Sequence, residues 1–279
     1  MNKPLTMIDA HFHIWQLSRG DYGWITADLT PIYRDVSPSD WRAIAAPHGI
    51  TGGVLVQAAP TTAETHFLLA QASTHPEVLG VVGWIDLLAS DAPQRIADVA
   101  RHPKLKGLRP MLQDIPDPRW VLQDALNPSW EAMTEHGLVL DLLVKPQHLP
   151  HVLTLAARHP RLPMVIDHAA KPHIADRQWE PWASLMMRIA LETHAVCKLS
   201  GLLTEAGPCP TGEAVHPWGA HVLNTFGAAR VMWGSDWPVL ELAGTYADWF
   251  DTSQQMAATL SPSMQEALFG GTARRTYQL

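Results

Sequence analysis

Eight short apolar segments recur along this 279-residue sequence, and most intervals between them are long enough for a helix. Strands that alternate with helices form parallel βα units, and eight units in a chain of this length favour a closed (β/α)8 barrel over an open doubly wound sheet. No G-x-G-x-x-G segment or phosphate-binding loop opens a helix, so nothing supports a nucleotide fold. We predict one barrel domain over residues 1–279, with strands at 5–9, 52–57, 79–85, 105–109, 138–144, 163–167, 195–200 and 230–234.

The composition excludes several classes of protein. Apolar residues make up 47% of the chain and charged residues 17%, unlike a disordered or coiled-coil sequence. The net charge of −7, without a Lys/Arg-rich run, gives no basis for nucleic-acid binding. No apolar run approaches the roughly 20 residues of a membrane span, no signal peptide is evident, and two cysteines suit a reducing compartment. We therefore expect a cytoplasmic protein without nucleic-acid or membrane partners, and leave open whether it forms a homo-oligomer.

Six of the 15 histidines occur where a predicted helix ends, just before the next strand. Five of them are followed by Pro or Gly, which stop helices, and a histidine near a helix C-terminus suits the helix dipole. This pattern predicts a structural role at the N-terminal face of the barrel, opposite the face that carries activity. The six are His48, His75, His102, His136, His159 and His194.

Polar residues at the C-terminal ends of three predicted strands form the candidate catalytic site. His11 and His13 follow strand 1, two residues apart, a spacing that places both side chains on one face. His168 ends strand 6 before a proline-containing loop, and Asp236 ends strand 8 in Trp-Gly-Ser-Asp-Trp-Pro. The structural alternatives are satisfied polar residues at a barrel rim and, for Asp236, a helix N-cap. We predict that the four meet at the barrel mouth and are catalytic, with Asp236 able to bind a metal or take a proton from water.

Further residues near the predicted mouth are candidates for substrate binding. Cationic side chains could hold carbonyl or carboxylate oxygens, although each could equally form a surface salt bridge or remain solvated. Aromatic rings could stack on the C–H face of a sugar, although most of the 12 tryptophans are expected to pack in the core. The candidates are Arg109, Lys171, Lys145, Trp84, Trp237 and Tyr22, the last in a loop with Trp24 that could cover the mouth.

An irregular loop is predicted at 204–215, where Gly, Pro and Thr are frequent after strand 7. It could be a substrate lid or simply a surface excursion.

Five segments, taken in order, resemble the amidohydrolase superfamily, and within it the amidohydrolase-2 type of lactonase. That group includes hydrolases of fucono- and rhamnono-lactones and of pyrone dicarboxylate. The Gln-Asp-x-Pro-Asp-Pro and Asp-His-x-x-Lys-Pro segments are most similar to the sugar-lactone branch. The five segments span 8–15, 106–109, 113–118, 167–172 and 233–238, so the resemblance covers nearly the whole chain.

The resemblance implies a distorted (β/α)8 barrel and hydrolysis of a sugar lactone, with Asp236 receiving a proton from the attacking water. It also implies that His11, His13, His168 and Asp236 could together hold one Zn²⁺. Two metals are not expected, because strand 4 ends in Arg109 and strand 5 in Lys145, where binuclear relatives carry metal ligands. Some relatives are thought to work without metal, so the sequence leaves a metal-independent site open.

Two alternatives keep the same fold. One is a zinc-dependent decarboxylase of an aromatic acid, an activity found among amidohydrolase-2 relatives. The other is a non-catalytic sugar-acid binder, which the presence of all four candidate catalytic residues argues against. A serine hydrolase has little support, since no G-x-S-x-G segment is present.

Overall fold

The computed structural model describes residues 7–208 and 210–279, and within them eight parallel strands follow one another around a single sheet. This confirms the predicted (β/α)8 barrel. The first predicted strand runs further than expected, to Phe12, and residues 5 and 6 lie outside the described residues. The strands are β1 Met7–Phe12, β2 Ile50–Val56, β3 Val78–Gly83, β4 Leu105–Leu108, β5 Val139–Leu142, β6 Met164–Ile166, β7 Val196–Leu199 and β8 Val231–Trp233.

A helix follows each of the eight strands, and two more complete the described chain. Side-chain caps fix several starts: Ser37, Thr61 and Thr245 each accept a hydrogen bond from a backbone N–H in the first turn of α1, α2 and α8. None of these helices is long and apolar enough to cross a membrane. The helices are α1 Pro38–Ala45, α2 Thr62–Thr74, α3 Ala92–Ala100, α4 Asn127–Glu135, α5 Leu149–Arg158, α6 Trp182–Glu192, α7 Gly212–Phe226, α8 Tyr246–Ala257, α9 Pro262–Glu266 and α10 Thr272–Tyr277.

The barrel closes between β8 and β1 just beyond the end of β8. His13 N donates to the Trp237 carbonyl at 2.7 Å, and Asp236 N donates to the His11 carbonyl at 2.8 Å. Closer to β8, the Asp9 carboxylate accepts from Ser235 N at 2.8 Å and from Ser235 Oγ at 2.6 Å. These bonds tie the backbone of His11 directly to that of Asp236, and the backbone of His13 to that of Trp237.

An irregularity in β1 changes which of its side chains face the interior. The pairing register with β2 shifts between Asp9 and Phe12. As a result Ala10 packs in the interior cluster while the next residue, His11, also contacts residues across the barrel. Asp9 points the other way and accepts hydrogen bonds from Trp41 on α1 and Tyr246 on α8. In a regular strand, the side chains of Asp9 and His11 would point to the same face, because they are two residues apart. The irregularity turns them to opposite faces, and such irregularities often change the direction of a side chain near a functional site.

Small and branched apolar side chains fill the barrel interior, as expected for this fold. Tyr277 on α10 packs among them, so the last helix of the chain contributes to the interior. The predicted structural histidines lie at the opposite ends of the units from the site: His75, His136 and His159 directly follow α2, α4 and α5. The interior cluster comprises Ile8, Ala10, Val54, Val56, Val82, Val139, Val165, Met232, Ala273 and Tyr277.

Candidate active site

A cavity of about 300 Å³ opens at the C-terminal ends of the strands. Its lining is mixed: most charged and amide groups come from the loops after β4 and β6 and are called the polar wall below, whereas apolar groups also come from the loops after β2, β5 and β8. The described residues that line it are His13, Trp24, Ala58, Arg109, Met111, Gln113, Asp114, Leu143, His168, Lys171, Asp236 and Val239.

The structure brings the four predicted catalytic residues together: His13, His168 and Asp236 line this cavity, and His11 contacts all three without being one of the described lining residues. All four are buried, with at most 5% of each residue exposed. Asp236 Oδ1 lies 3.2 Å from His13 Nε2, 3.6 Å from His11 Nε2 and 3.8 Å from His168 Nε2. His11 Nε2 and His13 Nε2 are themselves 3.2 Å apart. One carboxylate oxygen thus faces three imidazole rings from strands on both sides of the barrel closure.

Each imidazole is held through its other ring nitrogen. His13 Nδ1 lies 2.8 Å from the Val56 carbonyl, and because a carbonyl only accepts, Nδ1 carries the proton. His168 Nδ1 lies 2.9 Å from Ser200 Oγ, and His11 Nδ1 lies 3.1 Å from Lys198 Nζ. These contacts fix the ring planes and direct each Nε2 toward Asp236 Oδ1, as hydrogen-bond partners of the functional groups do in catalytic and metal sites.

The backbone around the site is strained. Residues 168–171 form a left-handed turn in which all four φ angles lie between 47° and 60°, and Asp236 has φ of 59°. A left-handed conformation costs a non-glycine residue about 1–2 kcal/mol. Such strain clusters at functional positions. It directs His168 and Asp236 toward each other just beyond the ends of β6 and β8.

Burial and neighbouring charges set the protonation of the site. Burial lowers the pKa of His168 to about 4, and burial together with the Lys198 ammonium lowers the pKa of His11 well below its usual range. Burial alone would raise the pKa of Asp236, but His168 and the hydrogen bond from His13 outweigh it and hold that pKa below its ordinary value. At neutral pH the site therefore combines an ionised Asp236 with neutral His11 and His168.

A layer of buried charges lies beneath the imidazoles, and we did not predict it from the sequence. Lys198 Nζ on β7 lies 2.6 Å from Asp141 Oδ2 on β5 and 3.0 Å from Asp167 Oδ1 after β6. Tyr277 donates to both Asp141 oxygens, at 2.9 and 2.8 Å. The sequence does contain a sign of this layer, because each of two apolar strands carries a single charged residue. These residues are Lys198 in Val-Cys-Lys-Leu and Asp141 in Val-Leu-Asp-Leu.

Arg109 and Lys171, two of the predicted substrate-binding residues, line the cavity. The Arg109 guanidinium donates to Asp167 Oδ2 at 3.3 Å and to the Gln57 carbonyl. Lys171 Nζ lies 3.0 Å from Gln113 Oε1 and 3.1 Å from Glu205 Oε1, so three loops meet at the polar wall.

Four other predicted substrate-binding residues are not among the described lining residues. Trp237 is buried and donates from Nε1 to Glu241 at 2.7 Å, while Tyr22 packs on Trp15 beneath the first loop. Trp84 follows β3 with its backbone tied to Thr65, and Lys145 precedes a short 3₁₀ turn at 146–148. Each of the four lies near a strand end or in the first loop. A position near a strand end does not by itself determine whether the side chain points into the cavity. The first loop contributes Trp24 instead, whose Nε1 donates to the Ala58 carbonyl at 2.7 Å.

Three of the donor atoms fit one zinc ion. Ligands that surround Zn²⁺ tetrahedrally at about 2.0–2.1 Å lie about 3.4 Å from one another, and His11 Nε2, His13 Nε2 and Asp236 Oδ1 lie 3.2 to 3.6 Å apart, with His168 Nε2 at 3.8 Å from the same Asp236 oxygen. Two overlapping sets of donors are close enough to share an ion, His11 with His13 and Asp236, and His11 with Asp167 and His168. Both sets depend on His11.

The predicted loop at 204–215 is shorter than expected, because α7 begins at Gly212 after the Thr211 cap. Cys209, the second cysteine of the sequence, lies outside the described residues. The contact of Glu205 with Lys171 joins the start of this loop to the polar wall of the cavity. Whether it acts as a lid stays a prediction.

Comparison with known proteins agrees with this geometry. The model of a family described as amidohydrolase matches residues 8–279. The chain is similar to an L-fucono-1,5-lactonase of Burkholderia ambifaria, with 45% identity over 98% of this chain and 95% of the relative. It is 35% identical to an L-fucono-1,5-lactonase of Burkholderia multivorans, over 98% of this chain and 96% of that one. Among solved structures, an amidohydrolase from Burkholderia multivorans with bound Zn superposes with a TM-score of 0.93 at 34% identity, covering 98% of this chain and 99% of the other.

Proposed function

The chain belongs to the amidohydrolase family, and from that premise we propose that it hydrolyses a sugar lactone to the open sugar acid. The observation that carries the proposal is the buried, ionised Asp236, which faces three imidazoles beside a cavity lined by both polar and apolar groups. A lactone hydrolase needs a base for water, a site for the developing oxyanion, and a proton for the leaving ring oxygen. The lining residues offer a candidate for each.

Asp236 is the proposed base. Its oxygen takes a proton from water as the water oxygen attacks the lactone carbonyl. When the tetrahedral intermediate collapses, the bond between the carbonyl carbon and the ring oxygen breaks, and Asp236 returns the proton to that oxygen. One water is consumed, and the products are a hydroxyl group and a carboxylic acid, which releases its proton to solvent. The low pKa of Asp236 keeps it ionised before each turnover.

Arg109 is the proposed partner of the carbonyl oxygen. Its guanidinium lines the cavity and is fixed by Asp167 and the Gln57 carbonyl, so it loses little freedom when substrate binds. Preorganised donors aimed at a developing oxyanion are among the largest contributors to catalysis. A zinc ion held by His11, His13, His168 and Asp236 would, when bound, add Lewis-acid polarisation of the same carbonyl.

L-fucono-1,5-lactone is the proposed substrate. Two relatives similar over nearly the whole chain carry that activity in their names. The polar wall of Lys171, Gln113 and Asp114 offers hydrogen-bond partners for ring hydroxyls. Leu143 and Val239 offer an apolar surface for the methyl group of a 6-deoxy sugar.

Acid release from a panel of aldono-1,4- and 1,5-lactones, followed with a pH indicator and corrected for uncatalysed opening, tests the proposal. We expect fast turnover of L-fucono-1,5-lactone and of lactones that share its ring configuration. Aromatic carboxylic acids, assayed in parallel for carbon dioxide, are expected to be inert. Carbon dioxide release without lactone turnover would replace the lactonase by the decarboxylase. Tight sugar-acid binding without turnover would replace it by a binding protein.

A further inference from the structure

Lys198 is fully buried inside the barrel, yet the proposed reaction does not use it. Its Nζ contacts three groups: Asp141 Oδ2 at 2.6 Å, Asp167 Oδ1 at 3.0 Å and His11 Nδ1 at 3.1 Å. Two carboxylates at this distance call for a cation between them. An ammonium group has three donors and no acceptor, so the nitrogen of His11 that faces it must accept.

The contacts of the other groups around His11 agree with this assignment. The alternative partner of Nδ1, Asp167 Oδ1, is 3.6 Å away, which is too long for a hydrogen bond. On the far side of the ring, His11 Nε2 lies 3.2 Å from His13 Nε2. The Asp236 carboxylate lies on the same side, with Oδ1 3.6 Å from His11 Nε2, and an ionised carboxylate favours a proton on the ring nitrogen that faces it.

Among the side-chain contacts described for His11, one opposes a proton on Nε2. It comes from the Arg109 guanidinium, which can only donate and would need a bare Nε2 as its acceptor. Its Nη1 lies 3.4 Å from His11 Nε2, which is the longer of the two cation contacts of this ring. The guanidinium already donates to Asp167 and to the Gln57 carbonyl, so it does not depend on His11 as an acceptor.

We propose that Lys198 is a positioning residue that fixes His11 as the Nε2–H tautomer, with its proton directed at His13 and Asp236, and thereby opposes zinc ligation by His11. Zinc binds the bare nitrogen of an imidazole. To ligate through Nε2, His11 must move its proton to Nδ1 and give up the contact with Lys198. Without Lys198, Asp167 becomes the natural acceptor for Nδ1–H, which produces the carboxylate–histidine pair typical of zinc sites.

The tautomer of His11 can be measured in the unaltered protein. Chelator-treated wild type, labelled with ¹⁵N at histidine, is analysed by long-range ¹H–¹⁵N correlation, and His11 is assigned from the signals missing in His11→Asn. We expect a protonated Nε2 and a bare Nδ1. A protonated Nδ1, alone or together with Nε2, overturns the proposal. This result does not depend on any variant of Lys198 being folded.

Zinc affinity provides a second readout that is independent of activity. The test protein is a double variant, Lys198→Met with Asp141→Asn, in which one buried positive charge and one buried negative charge are removed together. The control is Lys106→Met. Lys106 is half-buried on β4, and its Nζ donates to the Gln278 carbonyl away from the site. We expect the double variant to bind zinc about tenfold more tightly than wild type, since changes to the partners of metal ligands alter affinity on this scale, and the control to match wild type. Unchanged or weaker zinc binding in the folded double variant overturns the proposal.

The tautomer of His11 and the zinc affinity do not depend on the proposed lactonase function. If no lactone is hydrolysed but His11 carries its proton on Nε2, the proposed function fails and the role of Lys198 stands. If lactones are hydrolysed and His11 carries its proton on Nδ1, the reverse holds.

Discussion

Gly201 lies directly against the imidazole of His168. A Cβ built on Gly201 would come within 2.7 Å of His168 Nδ1, the atom that Ser200 Oγ contacts at 2.9 Å. Gly201 also has φ of +64°, in the region that favours glycine. The residue after Ser200 therefore has to be small for His168 to keep its place.

Gly201→Ala is expected to displace His168. A shift of about 1 Å at a catalytic group costs up to roughly 100-fold in rate, so we predict a 10- to 100-fold loss of kcat on the lactone. The positive φ adds a stability cost of about 1–2 kcal/mol. Gly20→Ala is the matched control, because Gly20 has φ of +75° and a methyl group on its Cα would meet no atom within 4 Å. Steady-state kinetics and denaturant unfolding separate the two effects, and a wild-type kcat for Gly201→Ala would contradict the account.

Ala170→Gly is expected to be almost neutral for stability, unlike most truncations of a buried alanine. Ala170 is fully buried but has φ of 60°. Relief of about 1–2 kcal/mol of strain offsets about 0.8 kcal/mol of lost methyl burial and a similar entropic cost in the unfolded chain. Ala72→Gly, in the last turn of α2 and equally buried, gains no such relief and should cost about 1–2 kcal/mol. Equal losses for both variants in urea unfolding would show that the left-handed turn carries no strain.

Glu64 is expected to make stability depend on pH. Burial raises the pKa of Glu64 to about 7, although the N–H groups of Ala58 and Ala59 donate to it. The folded protein then binds this proton more tightly than the unfolded chain, whose glutamate titrates near 4.5. The stabilisation from the protonated group is complete below about pH 4.5 and is lost as the pH rises to about 7, by up to about 3 kcal/mol.

Glu64→Gln should remove this part of the pH dependence, since an amide does not ionise in this range. Urea unfolding at pH 5 and pH 8 measures it, with the exposed Glu135→Gln as control. We predict that the difference in unfolding free energy between the two pH values shifts in Glu64→Gln and not in the control. The same difference in all three proteins would contradict the prediction.

Asp9→Asn is expected to weaken both the barrel closure and catalysis. The carboxylate accepts from Ser235 N and Oγ, from Trp41 and from Tyr246, at 2.6 to 3.1 Å. An asparagine cannot accept all of these bonds, so we predict a loss of about 2–4 kcal/mol in unfolding free energy. Because Asp236 follows Ser235, the lactonase rate should fall as well. Asp251→Asn, exposed on α8, is the control, and a fully stable Asp9→Asn would show that the closure does not depend on this charge.

The strand ends could be predicted from the sequence because hydrophobic runs locate buried parallel strands well. His11, His13, His168 and Asp236 each follow such a run, and the barrel topology then requires their backbones to converge. The position of Arg109 at the barrel mouth could be predicted in the same way, because it directly follows β4.

Other parts of the site depend on side-chain direction, which periodicity does not encode. The irregularity of β1 separates Asp9 from His11, and the left-handed turn at 168–171 uses alanine and lysine where a glycine would have signalled it. Trp84, Trp237, Tyr22 and Lys145 lie near predicted strand ends or in the first loop, but they are not among the described residues that line the cavity. The charges of Lys198 and Asp141 are stable inside the barrel only because three-dimensional neighbours pair them, a relationship that no local pattern reveals.

The most direct test of the account is kcat/KM for L-fucono-1,5-lactone in Asp236→Asn, measured against wild type and the control Asp251→Asn. The asparagine keeps the volume and one hydrogen-bonding oxygen but cannot accept the proton of water. We predict an unchanged circular dichroism spectrum with a loss of at least about 100-fold in kcat/KM, while the control keeps its rate. A folded Asp236→Asn that turns over the lactone at a rate near that of wild type would contradict the central claim that Asp236 activates water.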